Sequence, residues 1–450
     1  MANIFAEIWE MEDLRKRVLF TLAMIGVYRM GIFVPTPGVD RRALAQWFSS
    51  QENTLFGMYD MFSGGALTQS SVFVLGIMPY ITASIIMQLL AEMMPALKRI
   101  KEEGQQGQNR INQYTRYLTI AIAVAQSFML SVGMESMREG AASVVINPGW
   151  GFRAMTVLTM TAGACFVMWL GEQMTERGVG NGASILITCG IIAGLPSGAW
   201  LLFETVQNGD RTLLEVALLT AFMFVVVYGI VYIERGQRRV PLQHAKRVMG
   251  RTVYEGQTSY LPLKVNISGV IPPIFASSLL MFPSTITQFY ESPLLEQINA
   301  AFFPGRWLYN IVYTILIIFF AFFYTAITFN PEDVADNLKK QGGFIPSLRP
   351  GRETAAYLDW LLTRLTAGGA VYLSAVCILP TVLMMDFNVP FYFGGTGLLI
   401  IVGVSLDTVS QVQAQLSRKH YGSLGGPQGG QGGRVKGRRG RLGAGGSSFL

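Results

Sequence analysis

Long apolar runs separated by short charged stretches set the pattern of this chain. Ten runs stand out: Val18–Gly38, Val72–Met94, Tyr117–Met134, Ala154–Leu170, Gly182–Phe203, Leu213–Ile233, Val265–Phe289, Trp307–Phe329, Leu365–Met385 and Gly394–Leu406. The fourth is short, and the last continues through Asp407 towards Gln415. A helix crosses ~30 Å of hydrocarbon with ~20 mostly apolar residues, so each run reads as a membrane span. Lipid offers the backbone no hydrogen-bond partner, which predicts helices throughout. Residues 1–17 read as an amphipathic helix that ends in Arg15, Lys16 and Arg17. No cleavable leader is expected, because the first run is too long and lacks a small-residue cleavage site.

Composition agrees with that pattern. Of 450 residues, 51% are hydrophobic and 14% charged, against ~25% charged in soluble domains. Such apolar content excludes global disorder. Three cysteines, all inside apolar runs, exclude a disulfide scaffold. Two histidines and no ligand spacing argue against a zinc site.

Charge fixes an orientation. Of the 35 Lys and Arg, 28 lie at the N-terminus, in the loops after the second, fourth, sixth and eighth runs, or in the C-tail. Six lie in the other loops, and Arg29 sits inside the first run. The positive-inside rule then puts both termini in the cytoplasm. Five spans on either side of an external link at 204–212 form two halves (1–203 and 213–421) that must have opposite topology.

The spans hold little chemistry. Arg29 is the main ionisable residue within them, and it reads as a snorkelling or paired side chain. No acidic ring, arginine ladder or selectivity-filter motif appears. No Ser-His-Asp, Cys-His or carboxylate pair points to catalysis, so the chain reads as a non-enzyme with no cofactor. Gly76 and Pro79 interrupt the second run, Pro272-Pro273 the seventh, and Gly394, Gly395 and Gly397 open the tenth. These breakers allow the second and seventh spans to bend or separate.

Several motifs carry a resemblance in their order and spacing. They are Phe62-Ser63-Gly64-Gly65-Ala66-Leu67, Leu75-Gly76-Ile77-Met78-Pro79-Tyr80-Ile81, Ile111-Asn112-Gln113-Tyr114-Thr115-Arg116 and Gly178-Val179-Gly180-Asn181-Gly182. Gly269-Val270-Ile271-Pro272, Gly343-Phe344-Ile345-Pro346 and Leu348-Arg349-Pro350-Gly351 complete the set. Up to about Tyr421 the chain resembles the SecY/Sec61-alpha family, the channel subunits of Sec protein translocases. The resemblance implies an all-α membrane protein with ten transmembrane helices in two inverted five-helix halves, a central pore and a short external plug helix.

It also implies roles for residues. Ile81, Ile85, Ile187, Ile274 and Ile400 match the pore ring. An apolar collar dewets and blocks ions, yet has no polar group that would hold a passing chain. The segment at about 55–67 matches the plug, with Phe56, Met58, Met61 and Phe62 on it and Gly64 and Gly65 as its mobile link. Gln88, Asn181, Ser278 and Phe282 fall along the lateral gate between the second and seventh spans. There, weak hydrogen bonds between mildly polar residues would hold the seam shut.

The loops between spans carry the remaining signals. Arg235–Lys264 reads as a hairpin-like projection around Gly250 and Arg251. After the eighth run, Asn330 caps a helix that begins at Pro331, carries Glu332 and Asp333 early and Lys339 and Lys340 late, and stops at Gly342-Gly343. The positive-inside bias and anionic headgroups account for most loop cations. By resemblance, Arg238, Arg239, Lys246, Arg247, Arg251 and Arg349 meet the ribosome and the SecA motor; ribosomal RNA is a phosphate surface that cations bind in a salt-sensitive way. The Gly/Arg-rich tail, 422–450, departs from the family and reads as a flexible extension.

The expected function is the central subunit of a protein-conducting channel in the bacterial cytoplasmic membrane. It would translocate unfolded polypeptides with signal sequences and insert membrane segments sideways into the lipid bilayer. The expected partners are SecE, SecG, SecA and the ribosome. A secondary transporter is the rival reading and requires a mid-membrane polar site; a membrane enzyme requires a catalytic constellation.

Overall fold

The computed structural model describes residues 11–44, 60, 63–136, 138–139, 142–209, 212–244, 247–249, 252–254, 258–287, 306–387 and 395–424. Each of the ten apolar runs falls on a helix. In chain order the helices are α1 (Glu12–Ile32), α2 (Met78–Met93), α3 (Pro95–Glu102), α4 (Gln105–Ser136), α5 (Trp150–Arg177), α6 (Gly182–Gln207) and α7 (Leu213–Glu234). They continue with α8 (Ile271–Thr287), α9 (Trp307–Thr328), α10 (Pro331–Lys340), α11 (Arg352–Phe387) and α12 (Gly395–Leu424). Of these twelve helices, α3 and α10 lie outside the runs. Among the described residues, seven helices (α4–α7, α9, α11 and α12) are long and apolar enough to cross a membrane.

Local chemistry sets several helix starts differently from the sequence expectation. Pro79 and Pro272-Pro273 stand in the first turns of α2 and α8, so they begin these helices rather than interrupting them. A first-turn proline has no N–H to leave unpaired, and its φ is already helical. Residues 72–77, counted with the second run, form turns. Pro95 keeps Met94 extended, and α2 meets α3 at a bend of 99°. Helix α1 starts at Glu12, so Arg15, Lys16 and Arg17 belong to it rather than to a separate amphipathic helix. Glu12 and Asp13 suit its positive end, and Lys16 pairs with Glu12 at 2.8 Å. Helix α6 runs to Gln207, which shortens the link expected at 204–212. Helix α11 starts at Arg352, inside the loop expected at 330–364, and α12 runs to Leu424, past the expected start of the tail at 422. Residues 425–450 lie outside the described residues.

Two sets of helices share five packings, although α1 also packs on α5 with no counterpart of similar extent between α7 and α11. In the first set α2 packs on α4, α4 on α5, α5 on α6, α1 on α6 and α2 on α5. In the second, α8 packs on α9, α9 on α11, α11 on α12, α7 on α12 and α8 on α11. The sets meet where α6 touches α7 and α12, and where α2 touches α8. Helix α7 faces outward, with only 6% of its apolar window buried.

The strands are short. β1 (Arg138–Glu139) pairs with β2 (Ala142–Ser143). After α7, β3 (Gln237–His244) runs antiparallel to β6 (Thr258–Lys264), and β4 (Arg247–Met249) pairs with β5 (Thr252–Tyr254) inside that hairpin. β7 (Gly343–Phe344) follows α10 and adds to the other edge of β3.

Candidate functional site

The five isoleucines lie far apart in the chain. Ile81 and Ile85 stand on α2, Ile187 on α6, Ile274 on α8 and Ile400 on α12. All join one apolar cluster. Ile187 and Ile400 are 2% and 1% exposed, Ile85 and Ile274 are buried, and Ile81 packs half-buried against them. No Asp, Glu, Lys, Arg or His occurs within six residues of any of the five. Ile191, one turn beyond Ile187, is buried in the same cluster. The i,i+4 rule that pairs Ile81 with Ile85 would have found it.

The loop before α2 is tied down from three sides. Phe56, Met58, Met61 and Phe62 lie outside the described residues. On α1, the Tyr28 hydroxyl donates to the Ser63 carbonyl at 3.1 Å, and the Arg29 guanidinium donates to the Gly64 carbonyl at 3.0 Å. Arg29 is thus paired, one of the two readings its sequence allowed. Gly64 and Gly65 have φ of +72° and +86°, the left-handed region. At Gly64 a Cβ would stand 2.8 Å from the Gly190 Cα of α6; at Gly65 it would meet nothing closer than Thr68 Oγ1 at 4.0 Å.

Asp60 organises the turn from within. Its Oδ1 accepts from the Leu67 and Thr68 amides at 2.8 and 3.1 Å, and its Oδ2 from the Thr68 hydroxyl at 3.1 Å. Burial pushes the Asp60 carboxyl above the usual carboxylate range, although these hydrogen bonds pull the other way. Nothing in the sequence marked Asp60, since its partners form only once the turn closes.

Outside the helical bundle, the two cation-rich loops build one small domain. Val240, Leu242 and Leu263 of the hairpin share a core with Leu338 of α10, Ile345, and Leu358 and Leu361 of α11. The Asn330 side chain accepts from the Glu332 amide at 3.1 Å and caps α10 as expected. Arg238 and Arg239 are exposed on β3, and Arg349 is exposed after β7. The Arg349 carbonyl accepts from the Thr354 hydroxyl at 2.9 Å, which fixes its turn at the start of α11. Arg247 lies on β4; Lys246 and Arg251 lie outside the described residues.

Comparison with known proteins decides the family. The SecY family model matches residues 71–409. The chain is 47% identical over 415 residues to the protein translocase subunit SecY of Escherichia coli strain K12, covering 91% of this chain and 94% of that one. This chain belongs to the SecY family. A solved structure described as that of a protein-conducting channel has the same fold, with a TM-score of 0.64 at 16% identity over 91% of this chain and 94% of that one. Sec61 in the canine ribosome-channel complex from the endoplasmic reticulum is similar at a TM-score of 0.60 and 15% identity, again over 91% and 94%.

The residues assigned to a SecY-family lateral gate make their hydrogen bonds locally. Gln88, exposed on α2, donates to Ser84 at 3.3 Å, and the Ser278 hydroxyl donates to the Ile274 carbonyl at 2.8 Å. Asn181 caps α6, its side-chain oxygen accepting from the Ala183 and Ser184 amides at 3.1 and 3.4 Å. Phe282 lies on α8. Acceptors one turn away, or the free amide donors at a helix's own start, outcompete a partner across the seam. The cross-seam hydrogen bonds expected of these residues are not found among those described.

Proposed function

We infer that this chain is the central, channel-forming subunit of a protein translocase. It conducts unfolded polypeptides across a membrane and releases membrane segments sideways into lipid. The observation that carries the reading is that Ile81, Ile85, Ile187, Ile274 and Ile400, from α2, α6, α8 and α12, all belong to one apolar cluster. A ring of branched apolar side chains dewets and stops ions, and it deforms around any side chain that passes. It performs no catalysis and needs no cofactor. The segment leading to Gly64 is the plug that closes the ring, and α2 and α8 part to form the gate. An apolar segment at the open seam favours lipid by ~0.3–0.6 kcal/mol for each central Leu, Ile, Phe or Val.

The five shared packings support two five-helix halves, 1–203 and 213–421. The placement of 28 cations against 6 supports cytoplasmic termini in a bacterial inner membrane. The domain bearing Arg238, Arg239 and Arg349 is then cytoplasmic and receives the ribosome and SecA, while SecE and SecG complete the complex in the bilayer. A stalled secretory chain should cross-link to probes at positions 81, 187 and 274 in an active complex. Absence of such contacts would remove the pore assignment and favour a transporter.

A further inference from the structure

Where the hairpin leaves β6 for α8, one buried side chain, Asn266, ties the docking domain to the helical bundle. It follows β6, is 3% exposed, and uses both of its amide hydrogens. One goes to the Glu234 carboxylate at the end of α7, at 2.7 Å, and the other to the Gly269 carbonyl just before α8, at 3.1 Å. Its Oδ1 accepts from the buried Ser268 hydroxyl at 3.1 Å. The strand end is fixed as well, because the Val265 amide donates to the Gly236 carbonyl at 3.0 Å.

Helices α11 and α12 close on the same place. A Cβ on Gly369 of α11 would stand 3.0 Å from the Val265 carbonyl oxygen, and one on Gly403 of α12 would stand 2.6 Å from a methyl of Val270. Lys264 reaches Asp407 of α12 at 3.0 Å, an exposed pair of the kind that contributes little. Four helices therefore meet the hairpin's exit: α7, α8, α11 and α12. Two of them carry ring isoleucines close by. Ile274 is in the first turn of α8, and Ile400 is one turn from Gly403.

We propose that Asn266 is a positioning residue that transmits force or displacement from the docking domain to the isoleucine ring. This rests on the channel and docking readings above. A partner that tilts the hairpin moves β6, and the six residues between β6 and α8 are held by these hydrogen bonds. Asn266 fastens the junction to α7 on one side and to the first residues before α8 on the other. With the joint intact, hairpin motion displaces Ile274; with it broken, residues 265–269 absorb the motion.

The test separates binding from opening. The full complex in proteoliposomes is given ribosomes that carry a stalled signal-anchor chain. Co-sedimentation measures ribosome binding, and cross-linking at position 187 measures chain delivery into the pore. Asn266→Asp sets a second carboxylate against Glu234 and loses both donated hydrogen bonds. It should leave binding unchanged and lower delivery per bound ribosome by about tenfold, the scale of one lost hydrogen bond to a charged group. The swap Asn266→Asp with Glu234→Gln restores a donor–acceptor pair and the original net charge, and it should recover most of the delivery. If Asn266→Asp fails to assemble, Asn266→Ala is read in the same way. Unchanged delivery per bound ribosome overturns the proposal, as does a loss of delivery that only follows a loss of binding. Arg238→Glu with Arg239→Glu tests the docking reading separately: ribosome binding that ignores these changes sinks that reading whatever Asn266 does.

Discussion

Gly64 and Gly65 offer a matched pair for testing whether the loop before α2 holds the channel shut. Both have left-handed φ, +72° and +86°. An alanine at either costs about 1–2 kcal/mol of backbone strain. Their surroundings differ. The Cβ of Gly64→Ala would stand 2.8 Å from the Gly190 Cα, backbone against backbone, with the Arg29 guanidinium at 3.3 Å. No rotamer relieves that contact, so α6 and the loop must separate, at an overpacking cost of about 1–3 kcal/mol. Gly65→Ala meets only Thr68 Oγ1 at 4.0 Å and carries the backbone cost alone.

If the loop leaves α6 when the plug moves, the overpacking cost falls on the closed state. Each ~1.4 kcal/mol changes the closed-to-open ratio by about tenfold. Substrate-free chloride efflux from proteoliposomes should then rise by about tenfold or less for Gly65→Ala, and by a further ~10-fold for Gly64→Ala. The comparison isolates the Gly190 contact, since both variants share the strain. Equal leak from the two would refute the reasoning, because it would mean that α6 and the loop stay together as the channel opens.

Asp60 predicts a pH effect on the same leak. Its raised carboxyl means that the closed state holds a proton more tightly than an open state with Asp60 hydrated, so acidification from neutral through that raised value should tighten the seal. Asp60→Asn keeps an acceptor for the Leu67 and Thr68 amides; it should leak no more than the parent at neutral pH and lose the pH dependence, and a retained dependence would point to another group. Ile400→Asn buries an amide at a position 1% exposed, at about 1–3 kcal/mol; it should raise the leak and admit chains with weak signal sequences, whereas under a transporter reading solute uptake alone would suffer. Arg349→Glu should weaken SecA-driven export and spare membrane insertion, and normal export would end its docking role.

How legible the architecture was depends on the range of each interaction. The Asn330 cap and the Pro331 start of α10 are signals within four residues, and they read correctly. Pro79 and Pro272 are equally local signals, but inside a long apolar run a proline suggests a break; the same missing N–H that kinks a helix interior is harmless in a first turn. Asn181 shows how a local interaction claims a polar side chain. A polar residue directly before Gly182 opens α6, and its carboxamide is taken by that helix's first amides before it can serve a seam.

Long-range pairings left no local trace. The alternation Val240, Leu242, Leu261, Leu263 shows that the hairpin has one apolar face, but not that β7, about a hundred residues later, covers its edge and α10 its core. Tyr28 and Arg29 give no sign that they hold the carbonyls of Ser63 and Gly64, because a carbonyl is present at every residue and only the turn selects which are free. The ring is the extreme case. An isoleucine facing the pore and one facing lipid satisfy the same hydrophobic rule, so composition and periodicity cannot separate them. The five, from position 81 to position 400 on four helices, all belong to one apolar cluster, which other isoleucines such as Ile32, Ile77 and Ile317 share. On the pore reading, their shared cluster also explains why charge is kept away from them. A single Asp or Lys within a turn would wet the collar and give a passing chain something to bind, and either change would defeat a seal that has to accept every sequence.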